Sequence, residues 1–217
     1  MKPNAVVTGG SGGIGRAILD ELQNRGFDVT SLSRSEGCDV SDEGQVRKAF
    51  GRLRSLDALV NGAAVLIKRP FADLSAQEWD EQLGACLRGA FLCSREAFRL
   101  MGSHGGSIVM VSSLSGVGGA EKFPGMAAYV TAKSGMAGLT EALAVEGRPL
   151  GIRVNAVSPG AVDTPMLRIA GVEGPSLRPA EVARIVAWLA SPESAPLSGA
   201  NIRIDPQSGE TLEANVV

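Results

Sequence analysis

The stretch "TGGSGGIG", Thr8 to Gly15, decides how the chain is read. Its glycines satisfy two phosphate-loop spacings at once. TGxxxGxG runs through Gly9, Gly13 and Gly15, and TGxxGxxG through Gly9, Gly12 and Gly15. "NAVVTGG" leads in as a short apolar strand, and "GIGRAILDELQNRG" leads out as an amphipathic helix stopped by Gly26. A strand, a glycine-rich turn and a helix in that order aim backbone N–H groups and the positive helix end at a phosphate. A side chain in such a turn blocks the pyrophosphate or demands an unfavourable φ. The same turn can also serve simply to seat a helix closely on a strand. Its place at the head of a βαβ unit favours the nucleotide, with Gly9, Ser11, Gly13, Ile14 and Gly15 as the candidate contacts.

Outward from this loop, strands and helices alternate to the end of the chain. "FDVTSLS" is a second strand, and "SDEGQVRKAFGRL" a helix with Ser41 as its expected N-cap. "LDALVNGAA" is a strand that runs into the loop "VLIKRPF". Ser75 and Glu78 form a capping box for a long helix, whose Trp79, Leu83, Cys86, Ala90, Cys93 and Ala97 make a buried stripe. Then come the strand "GGSIVMVSS", the small-residue helix "AAYVTAKSGMAGLTEALAVEG" and the strand "GIRVNAVSPG". The helix "PAEVARIVAWLA" and the strand "ANIRID" complete the pattern. It predicts a doubly wound α/β fold, a parallel sheet with helices on both faces, as one domain over residues 1–217.

Composition agrees and excludes several function classes. Hydrophobic residues are 44%, aromatics only 4%, and there are 28 glycines. A net charge of −2 gives no reason to expect nucleic acid or an anionic membrane as a partner. No apolar run reaches membrane length, and the first strand begins too early for a signal peptide. Cys38, Cys86 and Cys93 read as reduced thiols, so the expected location is the cytoplasm. The one histidine, His104, lies in a loop and cannot build a histidine metal cluster; no metal site is expected.

The end of the second strand should meet an adenosine ribose, where NAD sites usually place a carboxylate. Here Ser33 stands at that place and Arg34 follows. With no acid to repel a 2′-phosphate and a guanidinium able to bind it, NADP(H) is favoured over NAD(H). The other reading of Arg34 is a solvated loop arginine. Tyr129, the only tyrosine, opens "YVTAK", which puts Lys133 one turn along the same helix face. A phenol beside an ammonium can exchange a proton with a carbonyl or alcohol oxygen; the competing reading is a core tyrosine with a surface lysine. Ser112, Ser113 and Ser115 in "VSSLSG" end a strand at the ligand-binding edge, as substrate-oxygen donors or as turn formers.

These pieces, with "CDVSD", "NAVSPGAVDTPM" and "LSGANIRID", resemble a compact short-chain dehydrogenase/reductase over essentially the whole chain. The resemblance implies a Rossmann-like fold and selects the TGxxxGxG reading of the loop. It assigns Ser113 to the substrate oxygen, Tyr129 to acid–base chemistry, and Lys133 to lowering the tyrosine pKa and binding the nicotinamide ribose. Asp39 and Val40 match the adenine-contacting pair, and Asn61 with Ala63 the segment lining the cofactor. Pro159, Gly160, Val162 and Thr164 match the segment that fixes the nicotinamide amide. The implied activity is hydride transfer between NADP(H) and a small carbonyl or secondary-alcohol substrate, in a homodimer or homotetramer. A turnover-deficient nucleotide-binding scaffold and a sugar-nucleotide epimerase are the competing classes.

Four departures accompany the resemblance. Asn61-Gly62-Ala63-Ala64 replaces the usual NNAG, and the helix expected between Arg34 and Asp39 has no room. Cys86 stands where an asparagine is common, and the stretch from Ser113 to Tyr129 is long. That stretch and "MLRIAGVEGPSLRP" are expected to form the substrate mouth.

Overall fold

The structure is a computed structural model that describes residues 2–102 and 104–205. The outermost residues of the 1–217 domain range therefore lie outside the described residues. Six strands form one parallel sheet: β1 Asn4–Thr8, β2 Asp28–Leu32, β3 Ala58–Asn61, β4 Gly106–Val111, β5 Ile152–Pro159 and β6 Asn201–Ile204. Their spatial order is β2-β1-β3-β4-β5-β6.

Side chains on a strand alternate between faces, and the core divides accordingly. Ala5, Val7, Val60, Val109 and Val111 pack on one face with α1 (Gly13–Asn24) and α7 (Pro179–Ala190). Val6, Leu59, Ile108 and Met110 face α2 (Glu43–Phe50), α4 (Gly89–Met101) and α5 (Ala127–Gly147) on the other. The remaining helices are α3 (Ala76–Leu83) and α6 (Pro165–Ala170). Burial on both faces explains why the strands read as apolar runs rather than as an alternation. Among the described residues, no helix is long and apolar enough to cross a membrane.

The chain turns in opposite directions on leaving β1 toward β2 and β3 toward β4, so a crevice opens at the C-terminal edge beside β1. The capping box is present: Ser75 Oγ accepts from Glu78 N at 3.2 Å, and Ser75 N donates to Glu78 Oε2 at 3.0 Å. The long helix it opens is interrupted by a π turn, Gly84–Arg88, between α3 and α4. His104 is exposed, as expected.

Two elements differ from expectation. The cap of α2 is Asp42, whose Oδ1 accepts from Gln45 N at 2.9 Å. Ser41 is already committed, its N and Oγ both donating to Asp39 Oδ1 at 2.9 and 2.7 Å. Within the segment read as mouth loop, α6 is a short helix framed by Pro165 in its first turn and Gly171 at φ 61°. The missing helix after β2 is replaced by a single 3₁₀ turn, Arg34–Glu36, closed by Gly37 at φ 81°.

Candidate active site

The glycine loop can be tested residue by residue for the space each position leaves. Gly9 sits at φ 74°, and a Cβ on it would lie 2.8 Å from Ala63 N and Cα. A Cβ on Gly15 would lie 2.1 Å from Gly9 O, and one on Gly13 2.7 Å from Thr164 Cγ2. On Gly12 the nearest atom would be 3.4 Å away, an ordinary contact. The packing therefore matches TGxxxGxG. Gly10, absent from either spacing, is also closed, because a Cβ there would lie 2.2 Å from Ser31 Oγ. Thr8 binds the loop to the next strand, its Oγ1 accepting from Gly62 N and Ala63 N at 3.1 Å each.

This turn and the N-terminus of α1, which has no side-chain cap, line a cavity of about 1120 Å³. Ser11 and Ile14 line it at the turn, and Ser33, Arg34, Asp39 and Val40 line it at the end next to β2. Ala63, Tyr129, Lys133 and Thr164 line it toward the other. A bare-backbone cradle at a helix N-terminus suits a dinucleotide pyrophosphate. A second cavity of about 480 Å³ adjoins it, lined by Ser113, Pro159, Gly160 and Val162 among others. Ile14, Tyr129 and Thr164 line both, so the two are lobes of one cleft that meet at the tyrosine.

Asn61 is the predicted contact that turns away. Its Nδ2 donates to Ser94 Oγ at 3.0 Å and to Met110 Sδ at 3.3 Å, and the side chain is buried against α4 rather than in the cleft. The following Gly62 and Ala63 line the cavity in its place.

Tyr129 and Lys133 come from the first two turns of α5, with the ammonium 5.6 Å from the centre of the phenol ring. Lys133 is only 2% exposed and its Nζ donates to Val111 O at 2.6 Å. Burial depresses its pKa. Burial also raises that of Tyr129, reinforced by Cys86 and opposed by the nearby Ser113 hydroxyl. Burial thus favours the protonated phenol. Ser113 Oγ accepts from Ser115 N at 3.2 Å, which leaves its own proton free. Ser112 is already committed, its Oγ donating to Lys133 O at 2.9 Å. The strand end also meets the helix tightly, since a Cβ on Gly116 would lie 2.6 Å from Lys133 C.

Cys86 lies inside the π turn, 1% exposed, with its thiol 3.8 Å from Val65 O. Its neighbours Gly84, Ala85 and Leu87 line the cleft. π turns shift the helical hydrogen-bond register and recur at functional sites.

At the ribose end the structure corrects one expectation. An acid does reach the end of β2, but it comes from three residues beyond Ser33. Glu36 Oε2 accepts from Ser33 Oγ at 2.5 Å and from Ser31 Oγ at 2.7 Å. These bonds lower its pKa, the Ser33 bond most. The signal was the short turn "RSEG", which folds the acid back onto the strand. Arg34 lines the cavity and lies 3.5 Å from Glu81, both well exposed.

A family model described as enoyl-(acyl carrier protein) reductase matches residues 34–206. A 3beta-hydroxysteroid dehydrogenase of Mediterraneibacter gnavus is 34% identical over 186 residues, 74% of this chain and 66% of that one. A trans-4-hydroxycyclohexanecarboxylate dehydrogenase of Sinomonas cyclohexanicum is 35% identical over 218 residues, 93% of this chain and 81% of that one. Among solved structures, an aldohexose dehydrogenase of Thermoplasma acidophilum superposes with a TM-score of 0.87 at 28% identity, covering 98% of both chains. Sequence, sheet order and cleft lead to one assignment: the chain belongs to the short-chain dehydrogenase/reductase family, oxidoreductases that act on CH–OH and C=O groups with a nicotinamide cofactor.

Proposed function

We propose that this protein is an NADP(H)-dependent reductase of small ketones, working in reverse as a secondary-alcohol dehydrogenase. The observation that carries the reading is the meeting of the two lobes at Tyr129, with Lys133 on the larger lobe and Ser113 on the smaller. The relative named for trans-4-hydroxycyclohexanecarboxylate supports an alicyclic substrate.

The glycine turn and the N-terminus of α1 hold the pyrophosphate, and Lys133 the nicotinamide ribose. When bound, the nicotinamide supplies or accepts the hydride. Ser113 donates its free proton to the substrate oxygen and fixes it beside Tyr129. Tyr129, kept protonated by burial, gives its proton to that oxygen as negative charge develops there. Lys133 supports the phenolate left behind. The asparagine common at position 86 in the family helps hold a water that links the lysine to solvent; with Cys86 there, backbone carbonyls around the π turn are left to hold that water. Arg34 and Ser33 at the ribose end support NADP(H). Glu36 is tied to Ser31 and Ser33 and does not line the cavity.

The protein works in the cytoplasm as a homodimer or homotetramer. The half-exposed Phe91 of α4 and the exposed Val145 of α5 are the apolar surface that association would cover. Tyr129→Phe tests the mechanism. Reduction of a cyclic ketone should fall by about 10²–10⁴, with NADPH binding, followed by nicotinamide fluorescence, retained. Unaltered turnover in that variant would remove Tyr129 from the chemistry.

A further inference from the structure

We propose that Arg203 anchors a carboxylate at the far end of the substrate lobe, so that the preferred substrate is a monoanionic oxo or hydroxy acid. The proposal rests on the ketone-reductase reading above and names the substrate class of that same site.

The smaller lobe is chemically two-ended. Ser113 and Tyr129 form one end, and Leu66, Leu114, Phe123, Met126, Met166 and Val172 give it apolar walls. Arg203 also lines it, projecting from β6, two strands across the sheet from β4. Neighbouring strands lie about 4.8 Å apart, which sets β4, the strand that leads into Ser113, about 10 Å from β6, the strand that carries Arg203. A single-ring acid with its carbonyl at Tyr129 bridges most of that distance, and the arginine side chain covers the rest.

The guanidinium has little else to do. Its hydrogen bond is a 3.5 Å contact from Nη2 to Gly118 O, at the long limit. Among the described residues no carboxylate is ion-paired to it, although nine other arginine–carboxylate pairings show how readily these arginines find one. Arg203 is exposed at the rim of the lobe, and its planar fork of donors matches a carboxylate better than it matches any neutral group. Asp205 and Glu121 line the same lobe. Their charge repels anions that Arg203 does not hold, which favours one carboxylate on the substrate and disfavours two.

The test compares two ketones of similar shape, 4-oxocyclohexanecarboxylate and 4-methylcyclohexanone, in wild type and in Arg203→Gln and Arg203→Lys. In wild type the oxo acid should be preferred in kcat/KM by about tenfold or more, the scale of a hydrogen bond to a charged group. Arg203→Gln should collapse that preference through KM for the acid, and Arg203→Lys should restore part of it. A wild type that reduces both ketones equally, or an Arg203→Gln variant that keeps the preference, overturns the anchor and leaves the reductase reading standing. Calorimetric titration with cyclohexanecarboxylate gives a readout that needs no turnover. Binding that weakens about tenfold in Arg203→Gln supports the anchor even if neither ketone is reduced, an outcome that defeats the reductase reading alone. Equal affinity in both proteins overturns the anchor.

Discussion

Replacing each glycine of the loop by alanine turns its spacing into a graded experiment. At Gly12 the added methyl meets nothing closer than 3.4 Å, at a backbone conformation, φ −83° and ψ 169°, that alanine adopts freely. The cost there is the poorer N-cap, about 0.5–1 kcal/mol. At Gly13 the methyl lies 2.7 Å from Thr164 Cγ2, the tip of a side chain that can rotate away. At Gly15 it lies 2.1 Å from Gly9 O, 2.8 Å from Gly9 C and 3.0 Å from Gly10 Cα, all backbone. Relieving that contact requires the turn and α1 to part by about 1 Å, roughly twice the ~0.5 Å within which a binding constellation must be held. Overpacking costs about 1–3 kcal/mol, and the better helix propensity of alanine returns about 1 kcal/mol of it. Thermal stability therefore drops only modestly, while nucleotide affinity takes the full displacement. Fluorescence titration with NADPH should give nearly wild-type affinity for Gly12→Ala, intermediate affinity for Gly13→Ala, and a loss of at least about tenfold for Gly15→Ala. Equal damage at Gly12 and Gly15 would refute the reasoning, because it would mean that the nucleotide rather than the protein backbone sets the need for glycine.

Three further outcomes follow from individual contacts. Glu36→Gln removes an anion from the ribose end while keeping a hydrogen-bond acceptor for Ser31 and Ser33, so the affinity ratio of NADPH over NADH should rise several-fold; an unchanged ratio places Glu36 out of reach of the 2′ position. Thr8→Val leaves Gly62 N and Ala63 N without their shared acceptor, at about 1 kcal/mol for part-buried donors, and calorimetry should show Tm lowered by a few degrees. Glu78 is held at about 2, first by Arg69 and then by Ser75, below its unfolded value of about 4.3. Its contribution is complete above the unfolded value and is lost as pH falls toward 2, so the Tm deficit of Glu78→Gln should shrink over that interval; a deficit independent of pH would assign it to packing.

What could be read before the fold was known followed the range of each interaction. The capping box of Ser75 and Glu78 spans three residues and was legible outright. So were the strands, whose apolar runs record burial on both faces. The cap of α2 was misplaced by one residue because Ser41 and Asp42 are equally good caps locally. Only the bond from Ser41 to Asp39 decides between them. The resemblance assigns Asn61 to the cofactor-lining segment, yet strand alternation turns its side chain onto Ser94, a partner from α4. Glu36 was invisible for a similar reason. The stretch from Arg34 to Asp39 reads only as too short for a helix, whereas the turn closed by Gly37 brings Glu36 onto Ser33. Gly10 matches no loop spacing, and its need for glycine comes from Ser31 on the neighbouring strand.

The strand order supplies the part of the site that no local pattern contains. In chain order, the ribose-end residues of β2 precede the residues after β3, and Arg203 lies near the end. In space, the C-terminal edge of the sheet reads β2, β1, β3, β4, β5, β6. Walking that edge passes Ser33 and Arg34, then the glycine turn, then Ala63, then Ser113 with Lys133 bonded to Val111, then Pro159 and Gly160, and last Arg203. The two lobes thus lie end to end along one edge, and the tyrosine of α5 comes down where they join. A parallel sheet presents all its strand ends on the same side, so each strand contributes one station at a spacing of about 4.8 Å. On that geometry a residue's role follows from its strand's place in the sheet. On the function proposed above, the last described strand lies beyond the nucleotide, and its end borders the substrate lobe.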